Sequence, residues 1–159
     1  MTYISGSDEL KNFQVVKNYG GSYSMQQYGT TLVAMTGTEV TYTPSSDSSC
    51  VVYECYYTIY WNPDGSGSYS CIRLQESTDD GSTWSTISGT KALEGTSGSA
   101  DYDTFCMNFK FILSPWTGAK KLRLATRSHT TSDEFTVGKL YTSSSVTTTS
   151  CPQVIVYEI

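Results

Sequence analysis

From about residue 30 the chain alternates apolar and polar positions with period two, the mark of half-buried strands. Thr31 to Met35 and Glu39 to Thr43 predict two short strands around Gly37. Cys50 to Trp61 runs almost without a polar break. Apolar character on both faces marks a central strand, or one covered on both sides. The run Asn62-Pro-Asp-Gly-Ser-Gly67 predicts a turn. Tyr69 to Glu76 is the return strand, with Ile72 and Leu74 on one face and Arg73 and Gln75 on the other. A second hairpin passes through Ser77 to Trp84, and the Gly/Ser/Thr-rich stretch 88–100 reads as a long surface loop. Phe105 to Leu113 is the clearest strand. Phe105, Met107, Phe109, Phe111 and Leu113 share one face, and Cys106, Asn108, Lys110 and Ile112 the other. After the turn Ser114 to Gly118, Lys121 to Arg127 alternates again with Leu122 and Leu124 inward. Phe135 to Tyr141 is a further strand, and 142–150 is a loop or a polar edge strand. The apolar run Gln153 to Ile159 must be paired, and belongs inside a sheet.

Eight or nine short strands predict an all-β fold, a two-sheet antiparallel sandwich with the jelly roll of about eight strands as the expected form. Strand order is not readable, and an immunoglobulin-like sandwich uses strands of the same lengths. Residues 1–28 lack the alternation and hold Gly20, Gly21 and Ser22. They are expected to form an extended N-terminal arm to a 29–159 domain.

Composition agrees. Ser and Thr account for 47 of 159 residues and Tyr for 13, against 5 Ala and 8 Leu. Strand and turn formers are thus abundant, and strong helix formers scarce. A net charge of -5 argues against a general nucleic-acid binder. No apolar run is long enough for a transmembrane helix, so no membrane partner is expected. The start carries no export signal, so assembly in a cytosol is expected. Cys50, Cys55, Cys71, Cys106 and Cys151 follow no zinc spacing and are expected as thiols, mostly buried.

Candidate chemistry is sparse. His129 is the single histidine, in a polar run beside Ser128 and Asp133, and no Gly-x-Ser-x-Gly elbow is present. The pairs Asp79-Asp80, Asp101/Asp103 and Asp133-Glu134 lack the full spacing of a calcium loop. No metal or cofactor is expected. Lys120, Lys121, Arg123 and Arg127 read as a basic stripe on one strand face, able to meet an acidic partner. Trp61 and Trp116 are aromatic candidates for ligand or partner contact, with Lys121, Arg123 and Arg127. The run Ser77-Thr-Asp79-Asp-Gly81-Ser-Thr83-Trp84 resembles the Asp-box of sialidases and related propeller proteins, where the motif is structural. Asp79 would accept N–H groups across the turn, Gly81 would take the positive φ, and Trp84 would pack beneath.

Three segments carry a broader resemblance: Val40-Thr-Tyr-Thr-Pro44 with Val51-Val-Tyr-Glu54, Cys71 to Trp84, and Val154 to Ile159. Together they resemble virion structural domains of the jelly-roll, tumour-necrosis-factor-like type, the capsid decoration (cement) proteins and fibre tips of tailed double-stranded DNA phages. That resemblance implies a non-enzymatic homotrimer, located in the virion after assembly in the host cytoplasm. It also implies that residues 1–28 anchor the body to the major capsid protein. The alternative is a fibre tip that binds a receptor or glycan through loops 62–68, 88–100 and 128–134, near Trp61 or Trp116. A second alternative, from the Asp-box likeness, is a small glycan-processing enzyme. Only Arg73, Arg123 and Arg127 are available for its three-arginine clamp.

Overall fold

The computed structural model describes residues 11–17, 26–62, 68–96, 103–128, 134–137, 139–142, 145–149 and 152–159. Among these there are strands and no helix, and no helix long and apolar enough to cross a membrane. The strands are β1 (Lys11–Lys17), β2 (Gln26–Tyr28), β3 (Val33–Ala34), β4 (Val40–Tyr42), β5 (Val51–Asn62), β6 (Ser68–Ser77) and β7 (Ser85–Thr96). Then follow β8 (Asp103–Leu113), β9 (Lys120–Ser128), β10 (Glu134–Val137), β11 (Lys139–Thr142), β12 (Ser145–Thr149) and β13 (Gln153–Glu158).

Two antiparallel sheets carry the core. In the first, β5 is flanked by β8 on one side, and on the other by β13 along its first half and β10 along its second. β1 lies outside β13, and β2 outside β10. In the second, β9 lies between β6 and the short pair β3 and β4, and β7 is the far edge. β11 and β12 form a separate hairpin. Eight principal strands, β1, β4, β5, β6, β7, β8, β9 and β13, thus have the order first-eighth-third-sixth in one sheet and second-seventh-fourth-fifth in the other. That order is two Greek keys folded as a jelly roll. It decides against the immunoglobulin alternative, in which the terminal strands are not interleaved this way.

Alternation explains the packing. Val51, Tyr53, Cys55 and Tyr57 of β5 point inward with Val154 and Val156 of β13, and meet Ile72, Leu74, Leu122 and Leu124 from the other sheet. Tyr53 brings a hydroxyl into this core and satisfies it by donating to the Thr38 carbonyl at 2.6 Å. Such a partner removes the cost of burying the phenol.

Several expectations need adjustment. Residues 88–96, read as loop, belong to β7. As an outer strand β7 gains its ladder from β6 and needs few apolar residues of its own. Residues 97–102 and the turn 63–67 lie outside the described residues. Within the stretch expected as an arm, 11–17 and 26–28 are paired strands of the first sheet. Cys55 and Cys71 are buried and Cys50 is half-buried, but Cys106 is an exposed thiol, because it falls on the outward face of β8. Cys151 lies outside the described residues.

Candidate functional site

Three surfaces gather side chains outside the core. On the outward face of the first sheet, the β5–β8 register sets Glu54 opposite Lys110, and the β13–β5 register sets Ile155 opposite Glu54. Lys110 Nζ lies 2.7 Å from Glu54 Oε1. Tyr157 and Tyr56 donate their hydroxyls to the two Glu54 oxygens, each at 3.0 Å. Burial alone would raise the Glu54 carboxyl, but the hydrogen bonds from Lys110, Tyr157 and Tyr56 outweigh it and hold it below its ordinary value. The Lys110 ammonium is pushed up by Glu54 first and by Tyr157 after it. An ion pair satisfied within one chain therefore sits at the centre of this face. Apolar groups surround it: Ile112 is 69% exposed, Phe13 55% and Tyr56 38%. Phe13 stacks on Tyr157 at 6.2 Å. Among the described residues Val33 is the one other exposed large hydrophobic, and it lies on the second sheet. A shallow hollow of about 310 Å³ adjoins Tyr56, Cys106, Asn108 and Gln153 on this side.

The second surface lies where β7 and β8 are the outer strands of their sheets. A cavity of about 650 Å³ opens there, walled by Ile87, Phe111 and Trp116, with Glu76 and Lys120 among its polar groups. Lys120 Nζ lies 2.7 Å from Glu76 Oε2 and 5.3 Å from the centre of the Trp116 ring. The cavity owes its shape to an irregularity in β7. Thr86 pairs with Gln75 and Lys91 with Arg73, so Ile87 to Thr90 bulge out opposite Leu74. Thr90 Oγ1 closes the bulge by donating to the Ile87 carbonyl at 2.6 Å. Gly89 has φ 79°, a conformation that favours glycine.

The third is the turn 77–84. Asp79 accepts from the Thr83 amide at 2.9 Å, the Thr83 hydroxyl at 2.6 Å and the Ser77 hydroxyl at 2.7 Å. These bonds, those of Thr83 foremost, hold its carboxyl down at about 2. The Gly81 amide donates to Ser77 Oγ at 2.8 Å, and Trp84 Nε1 to the Gly81 carbonyl at 2.9 Å. Gly81 has φ 91°, and Asp80 before it φ 59°. Basic residues of β9 complete the unit. The Arg123 guanidinium lies 3.7 Å from the Trp84 ring centre, a cation–π stack. Lys121 Nζ lies 2.9 Å from Asp80 Oδ1 and 3.4 Å from Glu39 Oε1.

No family model matches this chain, and no curated protein does. Among solved structures it is similar to the Eiger TNF of S. frugiperda, at 11% identity over 85% of this chain and 91% of that one, with a TM-score of 0.36.

The site residues expected from sequence are thus dispersed. Ser77, Asp79, Gly81, Thr83 and Trp84 form one closed turn. Lys121 and Arg123 brace it, while Arg127 is exposed, with its guanidinium 3.5 Å from the Thr30 carbonyl. The four-residue basic stripe is corrected to three. Lys120 is one residue from Lys121, so it faces the other way, toward Glu76 and Trp116. Trp116 lies in the cavity wall, far from a free platform, with its edge against Tyr42 at 6.3 Å. Trp61 falls on β5 opposite Asp103 and Phe135. His129, Asp101 and Asp133 lie outside the described residues. Among the described residues no three His, Cys, Asp or Glu side chains cluster to hold a metal ion. Sequence reasoning missed the Glu54–Lys110 centre. Both residues fell on outward positions of their strands, but only the strand register brings them together.

Proposed function

We propose that this chain is a non-enzymatic virion shell protein, a decoration (cement) module that stabilises a phage capsid through protein–protein contacts. Its body would self-associate as a trimer and its N-terminal residues would engage the major capsid protein. The observation that carries this reading is the outward face of the first sheet. Exposed Phe13, Tyr56 and Ile112 ring an ion pair that is already satisfied within one chain. A contiguous apolar surface of this kind marks an interaction site rather than a solvated one. A charge centre neutralised internally can meet a protein surface without needing an opposite charge from it. β1 borders this face as the sheet's outer strand.

The test is co-sedimentation with expanded and unexpanded phage capsids. The full chain is expected to remain with expanded shells. A variant lacking residues 1–10 but keeping β1 is expected to keep its circular dichroism spectrum and lose at least tenfold in shell affinity. Full decoration by that truncated chain would remove the anchor from the proposal. No retention of the full chain by any shell would remove the decoration role itself.

A further inference from the structure

We propose that the cavity between β7 and β8 is a binding site for a neutral saccharide. Its volume, about 650 Å³, lies within the range of small-ligand sites. Its wall sets Trp116, Phe111 and Ile87 within a larger polar share that includes Glu76, Thr90 and Lys120. Such a wall suits a ring with an apolar C–H face and a hydroxylated edge.

Charge narrows the ligand class. Glu76 and Lys120 lie 2.7 Å apart, so together they offer an acceptor and donors with no net charge. Lys110, at the rim, is held by Glu54 at 2.7 Å. Neither an anion nor a cation finds an unpaired counter-charge among these groups, whereas hydroxyls can bond to both members of the Glu76–Lys120 pair.

The rival occupant is an extended peptide added to a sheet edge. β7 opposes it, because the Ile87–Thr90 bulge interrupts the ladder where the cavity opens. A strand added there could not continue its register. The cavity shares Lys110 and Ile112 with the outward face of the first sheet, and its test is read without capsids.

Maltose, lactose and diacetylchitobiose would be titrated into the full chain and followed by saturation-transfer NMR and calorimetry, with sialyllactose as the charged comparison. At least one neutral disaccharide is expected to bind, and sialyllactose no better than lactose. Glu76→Gln is expected to weaken binding about tenfold, the loss of one charge-assisted hydrogen bond. Ser88→Trp, at an exposed position of the bulge, is expected to fill the cavity and abolish binding while the melting temperature is unchanged. The proposal is overturned if none of the three disaccharides binds. It is equally overturned if binding persists undiminished in both variants, or if short extended peptides and not sugars perturb the β7 and β8 amides.

Discussion

Asp79 shows how one side chain can specify a turn. Its two carboxylate oxygens take three donors, all from residues within four positions. Gly81 supplies the backbone conformation that lets them converge. A Cβ at Gly81 would meet Lys121 Nζ at 3.5 Å and Trp84 Cζ2 at 3.6 Å, ordinary contacts, so space does not forbid alanine there. The penalty is the φ of 91°, and Gly81→Ala is expected to lower stability by about 1–2 kcal/mol in urea denaturation. The pH dependence has a definite sign. Asp79 is depressed from an ordinary 3.8 to about 2 in the fold. Its contribution is therefore present above 3.8 and is lost as pH falls from there through 2. The melting-temperature gap between the parent chain and Asp79→Asn is expected to be open at pH 7 and to close as pH falls through that window. A constant gap would mean that the carboxylate charge is not what holds the turn.

At the level of elements, the C-terminal strand β13 ties the molecule together. It lies between β1 and β5, and Ile159 beyond it accepts from the Ser49 amide at 2.7 Å while donating to the Cys50 carbonyl at 3.1 Å. Glu158 is fully buried on its inward face, accepting from the Ser45 amide at 2.9 Å and from the Ser45 hydroxyl. The same carboxylate, after burial itself, helps push the Tyr42 phenol up to about 12. Glu158→Gln keeps the volume but weakens bonds to a charged acceptor, so a loss of roughly 1–3 kcal/mol is expected by urea denaturation. Ser45→Ala is expected to cost less, about 1 kcal/mol, since the backbone donor remains. An effect near zero for both would show that the buried carboxylate is not a latch. β13 was legible as an interior strand because Val154 and Val156 alternate and no terminal apolar strand stays unpaired. The same period placed Glu158 inward, yet its partner lies 113 residues away, and only the fold supplies it. From Ser88 on, β7 has the composition of a loop, because an outer strand can be rich in Gly, Ser and Thr when its neighbour provides the ladder. Period two separates Lys120 from Lys121, so the basic run divides between two faces of β9. The turn at 77–84 rests on local partners, whereas its braces from β9, Lys121 and Arg123, come only with the fold.

For the whole molecule, the proposed trimer would use the outward face of the first sheet. In a ring of identical subunits the same charges recur at each contact, and unpaired like charges there would oppose assembly. Internal pairing of Glu54 with Lys110 at 2.7 Å removes that obstacle and leaves the apolar rim to supply attraction. Ile112, at 69% exposure, has the most to gain by being covered. Burying such a side chain contributes roughly 1.5–3 kcal/mol. A trimer of 17.5 kDa chains would elute with a light-scattering mass of about 52 kDa. Ile112→Glu replaces that gain with a carboxylate that must be desolvated. It is expected to weaken self-association about a hundredfold and to shift the mass toward one chain, with no change in the monomer's circular dichroism. Val33→Glu, a charge placed at the other exposed hydrophobic on the opposite sheet, is expected to leave the mass unchanged. A trimer indifferent to Ile112→Glu but broken by Val33→Glu would move the interface to the second sheet. A monomer at every concentration would remove self-association from this face.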